Sequence, residues 1–416
     1  MIPPSPPRIA NIAAPTRETV RPLPPATRPA FEPYRVLFPL GAACAVLGAT
    51  PWLAAPFGAP WPGLVHASLM VQGFELAFVT GFLLSAMPAF THGAKCRPWE
   101  LWLTASGVAA FASLRAWDLE ASAGAVFALT LGFAAIAVAR RVRFGAAAPP
   151  EEFALVGVGV ALGVAGGVAQ ALAAAGLWAE PSPRFALHLV ARGMMLAIVL
   201  GLGGLLVPTF AMIPDPLRIP GVARAGQRGP RRAFLAGIAL LVAGALAAEA
   251  AGHPRAAAWT RAAAGSASLL LAWKLWRVPP LAARLPWALW TAGACTFLGL
   301  AGAALWPEHE IAAWHVVFIG GYGLLTMAIG TRVVVSHGGH PHGDEPKVLA
   351  TSALACLALA LIARMLAGEV DPNASHTLAT AAALWIVAWL VWLARALPRA
   401  LHTRRPDLLM PRGIKP

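Results

Sequence analysis

Residues 186–213 read ALHLVARGMMLAIVLGLGGLLVPTFAMI, an apolar run in which Arg192 is the one charged side chain. A bilayer's hydrocarbon core is about 30 Å thick and is crossed by about 20 predominantly apolar residues in a helix, so this stretch is long enough to span it. Eleven more runs of the same kind follow one another along the chain. The expected spans are 35–55, 66–87, 99–117, 121–139, 153–175, 186–213, 232–250, 256–277, 286–306, 312–335, 347–368 and 375–397. With 58% hydrophobic and 12% charged residues, no soluble fold could hide so much apolar surface. A backbone surrounded by lipid must satisfy its own hydrogen bonds, which a helix does within the segment. The sequence therefore predicts an all-α polytopic protein of about twelve transmembrane helices, embedded in the lipid bilayer.

Residues 1–34 differ in kind. They are rich in Pro and Arg and lack the apolar centre of a signal peptide, which predicts a disordered or polyproline-like tail. The membrane domain is expected over 35–398, and a basic tail over 399–416. The net charge of +14 follows the topology. Arg8, Arg17, Arg21, Arg28 and Arg35 precede or open the first span. Lys95 and Arg97, then Arg140, Arg141 and Arg143, and later Arg218, Arg224, Arg228, Arg231 and Arg232 follow even-numbered spans. The odd-numbered loops instead carry Asp118, Glu120, Glu180, Glu308, Glu310, Glu369 and Asp371. The positive-inside rule then places both termini in the cytoplasm, and nucleic acid is not needed to explain the basic charge. Cys44, Cys295 and Cys356 fall inside spans and Cys96 in a loop, so no disulfide framework is expected.

This topology gives each histidine a side of the membrane. His66, His188 and His315 open the second, sixth and tenth spans at the outer surface, at intervals of 122 and 127 residues. Each opens the second helix of a four-helix group, and the helices they open are rich in glycine: Gly73 and Gly81, Gly201, Gly203 and Gly204, Gly320, Gly321, Gly323 and Gly330. The pattern predicts three divergent four-helix repeats around a pseudo-threefold axis. Imidazole ligates haem iron and copper, so histidines from different helices at one depth could share a cofactor. The alternative is that each sits among lipid headgroups.

On an α-helix, residues four, seven and eleven positions on share a face. From His66 that face carries Met70, Gly73 and Ala77; from His188, Arg192 and Met195; from His315, Ile319, Tyr322 and Thr326. Intramembrane charge is costly and marks candidate sites. Arg192, one turn below His188, could balance an anionic cofactor group or snorkel to the interface. Glu75, nine residues after His66, is expected to face the opposite way and to serve packing or a proton path. Arg261 and Arg364 fall near outer ends with no histidine beside them in sequence. His337, His340 and His342 form a cluster in the loop after span ten that could hold a metal weakly or simply be solvated.

Span two, His66-Ala-Ser-Leu-Met70-Val-Gln-Gly73-Phe and then Gly81-Phe-Leu-Leu-Ser-Ala-Met-Pro88-Ala-Phe-Thr91, resembles the NnrS family. So does span ten, from Trp314-His315 through Gly320, Met327 and Thr331-Arg332 to Ser336-His337-Gly338-Gly339, with a further match at Gly203-Gly204 to Pro208-Thr209-Phe210. The resemblance implies a haem- and copper-containing bacterial inner-membrane protein of nitric oxide metabolism and nitrosative-stress resistance. His66, His315, Arg332 and His337 carry over by position. Ser68 and Leu69 stand where family members usually have a second His and a Glu, and Leu205 where many have Arg, so a full metal complement does not carry over.

The expected site is thus haem near the outer ends of spans two, six and ten. His66, His188 and His315 are candidate iron or copper ligands, His337 a further metal candidate, and Arg192, Met70 and Tyr322 candidate cofactor contacts. Nitric oxide would be the small-molecule partner, whether reduced, sequestered or sensed. Two other readings stand beside it: a secondary transporter without a redox cofactor, and a degenerate family member with a structural role.

Overall fold

The computed structural model describes residues 32–178, 183–211, 228–280, 283–367 and 374–402. Nearly all of the N-terminal tail and most of the C-terminal tail lie outside these residues. So do Glu180, Arg218, Arg224, Glu369 and Asp371 of the loop charges.

The described residues are helical and contain no strand. The long helices are α1 (Tyr34–Phe57), α2 (Gly63–Thr91), α3 (Pro98–Ala116), α4 (Glu120–Phe144), α5 (Phe153–Ala174), α6 (Arg184–Phe210) and α7 (Gly229–Ala250). They continue with α8 (Pro254–Ala267), α9 (Arg284–Leu305), α10 (Pro307–His337), α11 (Thr351–Leu366) and α12 (Ala374–Leu401). Among the described residues nine of these are long and apolar enough to cross a membrane, or ten if α11 is joined to the short helix His342–Val348, from which it bends by 49°.

The expected count of twelve is thus not confirmed, because three of the twelve helices, α3, α8 and α11, fall short of the length or apolarity of a span for local reasons. Helix α3 carries Glu100 and Arg115 among several hydroxyl and Trp side chains. Helix α8 is half alanine, with Arg255 and Arg261. Its continuation ends near Lys274, whose φ of 57° is left-handed and stops a helix. Helix α11 alone is about 24 Å long at 1.5 Å per residue, short of the hydrocarbon core. The threefold repeat is carried only as far as the local features described below.

Neighbours in sequence pack as antiparallel pairs, α4 on α5, α7 on α8 and α11 on α12, and α1 also packs on α12. The interior belongs to the helices that open with the histidines. The buried share of the most apolar stretch is 83% in α2, 89% in α6 and 61% in α10, against 28–56% in the other candidate spans. A helix apolar on every side, such as Leu76–Met87 of α2, has no face to give to lipid and is surrounded by its neighbours. Helix α2 touches both α6 and α10.

Polar side chains join these helices where water cannot. The Gln72 amide of α2 donates to Gln170 Oε1 of α5 at 2.9 Å, and both residues are buried. Replacing Gln170 with Leu would leave the Gln72 amide group without this partner, at an expected cost of about 1–3 kcal/mol. The check is the unfolding midpoint in detergent, and an unchanged midpoint would show that the pair contributes nothing. At the opposite end of the bundle, Arg141 of α4 donates to Glu100 Oε2 at 2.5 Å and to the carbonyls of Ala94 and Lys95. That clamp fixes the α2–α3 loop, while Glu100 also accepts the Arg97 backbone N–H at the start of α3.

Candidate functional site

Each of the three histidines stands just ahead of a break in helical period. The π-helical segments are Leu69–Glu75 in α2, Leu189–Met194 in α6 and Val316–Gly323 in α10. A fourth, Ser268–Ala272, continues α8 without a histidine. Such i→i+5 turns are rare and occur mostly at functional sites. They also turn the helix less per residue, so faces counted at α-helical spacing drift. Glu75 accepts a hydrogen bond from Thr326 Oγ1 of α10 at 3.0 Å, a polar contact with the helix that carries His315.

His66 and His315 lie within electrostatic reach of each other. His66 Nδ1 donates to the Gly48 carbonyl of α1 at 2.7 Å, and His315 Nδ1 donates to the Ile311 carbonyl one turn earlier, also at 2.7 Å. Both rings therefore carry their proton on Nδ1 and present Nε2 as a lone-pair donor, and neither Nε2 has a hydrogen bond among the described residues. The two imidazoles are within electrostatic reach of each other, and the Arg364 guanidinium acts on both. Arg364, with no histidine beside it in sequence, thus has two in space. Trp52 meets the His66 ring edge-on at 5.5 Å. Met70 packs on the same glycine that anchors His66: a Cβ at Gly48 would stand 2.9 Å from Met70 Sδ. Tyr322 is buried, within electrostatic reach of Glu75 and Arg261, and its hydroxyl has no hydrogen-bond partner among the described residues.

His188 belongs to a separate constellation. Its Nδ1 donates to Glu249 Oε1 of α7 at 2.7 Å, and Arg192 donates to the same oxygen at 3.0 Å. Arg192 also reaches Glu310 of α10 at 2.7 Å and lies over the Trp314 ring at 5.0 Å. Arg261 of α8 closes the set on Glu249 Oε2. Four helices meet here, and two arginines face two carboxylates. Arg192, expected to meet a cofactor's anionic group, is met by protein carboxylates. Glu249 was not among the expected site residues, although an acid at the end of an apolar run was the available signal.

His337 lies at the far end of α10, roughly 30 Å along the helix from His315, and shares no centre with it. Its Nδ1 is 3.4 Å from Glu32, with Tyr34 edge-on to the ring. The loop histidines diverge as well: His340 Nε2 bonds to the Arg399 carbonyl at 3.0 Å, and His342 to Glu345 at 3.0 Å. Two of the segments that resemble the family meet at this end, with Arg332 over the Phe210 ring at 4.9 Å.

The fold and these sites define a multi-pass helical membrane protein with two imidazoles open at Nε2 and a charged cluster inside its helical bundle. The chain belongs to the NnrS family: the family model described as NnrS protein matches residues 30–404. No curated protein matches the chain. The donor chemistry fits haem, because one or two neutral imidazoles, oriented through Nδ1 and open at Nε2, suit axial ligation. It does not fit a copper centre built from protein ligands. Among the described residues no three His, Cys, Asp or Glu groups converge closely enough to hold a metal ion. Ser68 and Leu69, at the positions of the usual family ligand motif, are packed inside the bundle.

Proposed function

We propose that this protein binds haem in the membrane and acts in the nitric oxide response, with His66 and His315 as the residues that hold the iron. The two imidazoles carry the reading, each fixed through Nδ1 on a backbone carbonyl, open at Nε2 and within electrostatic reach of the other. A bound haem would supply a one-electron centre able to bind nitric oxide. The Gly48 and Ile311 carbonyls hold the rings in the ligating tautomer, and Arg364 supplies positive charge beside both. The buried Glu75 carboxyl, bonded by Thr326, is a group that can hold a proton on the interior side of α2. The distribution of Lys and Arg supports an inner membrane location with both termini in the cytoplasm.

The test is optical. Protein purified in detergent from haem-replete cells is expected to show a stoichiometric Soret band, weakened or shifted in His66→Ala and His315→Ala. His188→Ala is expected to leave the band at full intensity, because His188 belongs to the Glu249 cluster and not to the proposed iron ligands. Well-folded protein without haem would overturn the reading. A second reading, a secondary transporter, is favoured by one observation: the charged cluster around Glu249 lies where helices α6, α7, α8 and α10 meet, a geometry suited to ion coupling. Substrate-dependent flux in proteoliposomes without haem would support it. Ser68 and Leu69 in the family ligand motif keep open a degenerate member with a structural role, which would show neither.

A further inference from the structure

Away from the histidines, a groove of about 300 Å³ lies between α9, α10 and α11. Its α9 wall is Arg284, Trp287, Ala288, Thr291 and Cys295, a spacing that puts all five on one helix face. Gly320 of α10 and Leu357 of α11 face them across the groove. From Arg284 to Cys295 the groove extends about 16 Å along the helix. That is about half of the hydrocarbon core, or one leaflet. Exposed Leu298, Leu359 and Ile362 on α9 and α11 mark these helices as facing lipid.

The two ends of the groove differ in chemistry. The deep end is apolar apart from Thr291 and the Cys295 thiol. The shallow end holds Trp287, a side chain suited to the interface, and the exposed Arg284 guanidinium. Arg284 donates to the Pro346 carbonyl at 3.2 Å, which aims it, but it forms no ion pair among the described residues. A neutral polar head would find few partners here, whereas an anionic head finds an uncompensated cation.

We propose that this groove binds one anionic phospholipid, with its phosphate on Arg284 and an acyl chain running past Thr291 to Cys295 and Gly320. The acyl chain then ends against Gly320, within the π-helical segment of the helix that carries His315 and five residues past that histidine. The site stands whether or not the histidines hold haem.

Native mass spectrometry of the delipidated full chain tests this, by titration with phosphatidylglycerol and phosphatidylcholine of identical acyl chains. One phosphatidylglycerol is expected to bind about fivefold more tightly than phosphatidylcholine, as one interfacial Arg supplies. Arg284→Ala is expected to abolish the preference while leaving weak binding of both lipids. Ala358→Trp, at an exposed position of the groove wall, is expected to abolish binding of both without moving the unfolding temperature. Equal wild-type affinity for the two lipids, no lipid bound at saturating phosphatidylglycerol, or unchanged binding in Ala358→Trp would each overturn the proposal.

Discussion

Glu249→Ala is expected to destabilise the protein by about 3–5 kcal/mol, the cost of removing one partner from a buried ionic set. The carboxylate is the shared acceptor of three groups: His188 Nδ1, Arg192 and Arg261. Arg261 is 3% exposed and has no other anion bonded to it among the described residues, so its charge would be stranded away from water. Arg192 would keep Glu310 and the Trp314 ring, which limits the damage on that side. Glu249→Gln separates charge from shape, because the amide oxygen can still accept from His188 while the negative charge is gone. The unfolding midpoint in detergent is the measurement, with alanine expected to fall furthest and glutamine between alanine and wild type. A Glu249→Ala protein as stable as wild type would mean that the four helices are held without this cluster. The folded Gln variant also reports on the site, since Trp314, the residue before His315, lies under Arg192. Its Soret band is expected to shift if haem is bound.

The helical membrane class was fully legible, because apolar runs of spanning length admit little else. The number of spans was less so. A helix falls within each of the twelve expected ranges, but whether it crosses depends on details that a hydropathy pattern blurs: the polar load of α3, the alanine content of α8, the bend before α11. The histidines at the openings of α2, α6 and α10 were legible as a recurrence, and so was the glycine content of those helices. Their partners were not. A π-helical turn leaves no periodic trace in sequence, and the partner of Glu75, Thr326, comes from another helix. Arg364 and Arg261 seemed remote from any histidine because their neighbours come from other helices. Glu249 was passed over for the same reason: its meaning lies in what α6 and α8 bring to it. That His66 and His315 lie within electrostatic reach of each other, while His188 bonds Glu249 and His337 sits at the far end of α10, is a property of packing alone.

Gly203→Ala is expected to cost about 3 kcal/mol or more, the upper end of the range for overpacking a filled core. A Cβ built at Gly203 would lie 1.8 Å from Trp273 Cζ2, with two further ring atoms within 2.5 Å. Trp273 cannot easily withdraw. Its ring is buried, its Nε1 donates to the Leu200 carbonyl at 3.4 Å, and Gly293 of α9 packs against its other edge. The glycine therefore lets α6 and the end of the α8 π segment approach closely, a contact made through one aromatic ring. Gly157→Ala is the control, since nothing lies within 4 Å of a Cβ there and alanine favours a helix. Unfolding in detergent is expected to separate the two, with Gly203→Ala strongly lowered and Gly157→Ala at or above wild type. Restoring space with Trp273→Phe in the Gly203→Ala background should recover part of the loss if the ring is the obstacle. No recovery in that double variant would place the strain in the backbone of α6 instead. Either result bears on the Gly203-Gly204 to Pro208-Thr209-Phe210 segment, where close packing is a sufficient physical reason for the first glycine without any cofactor.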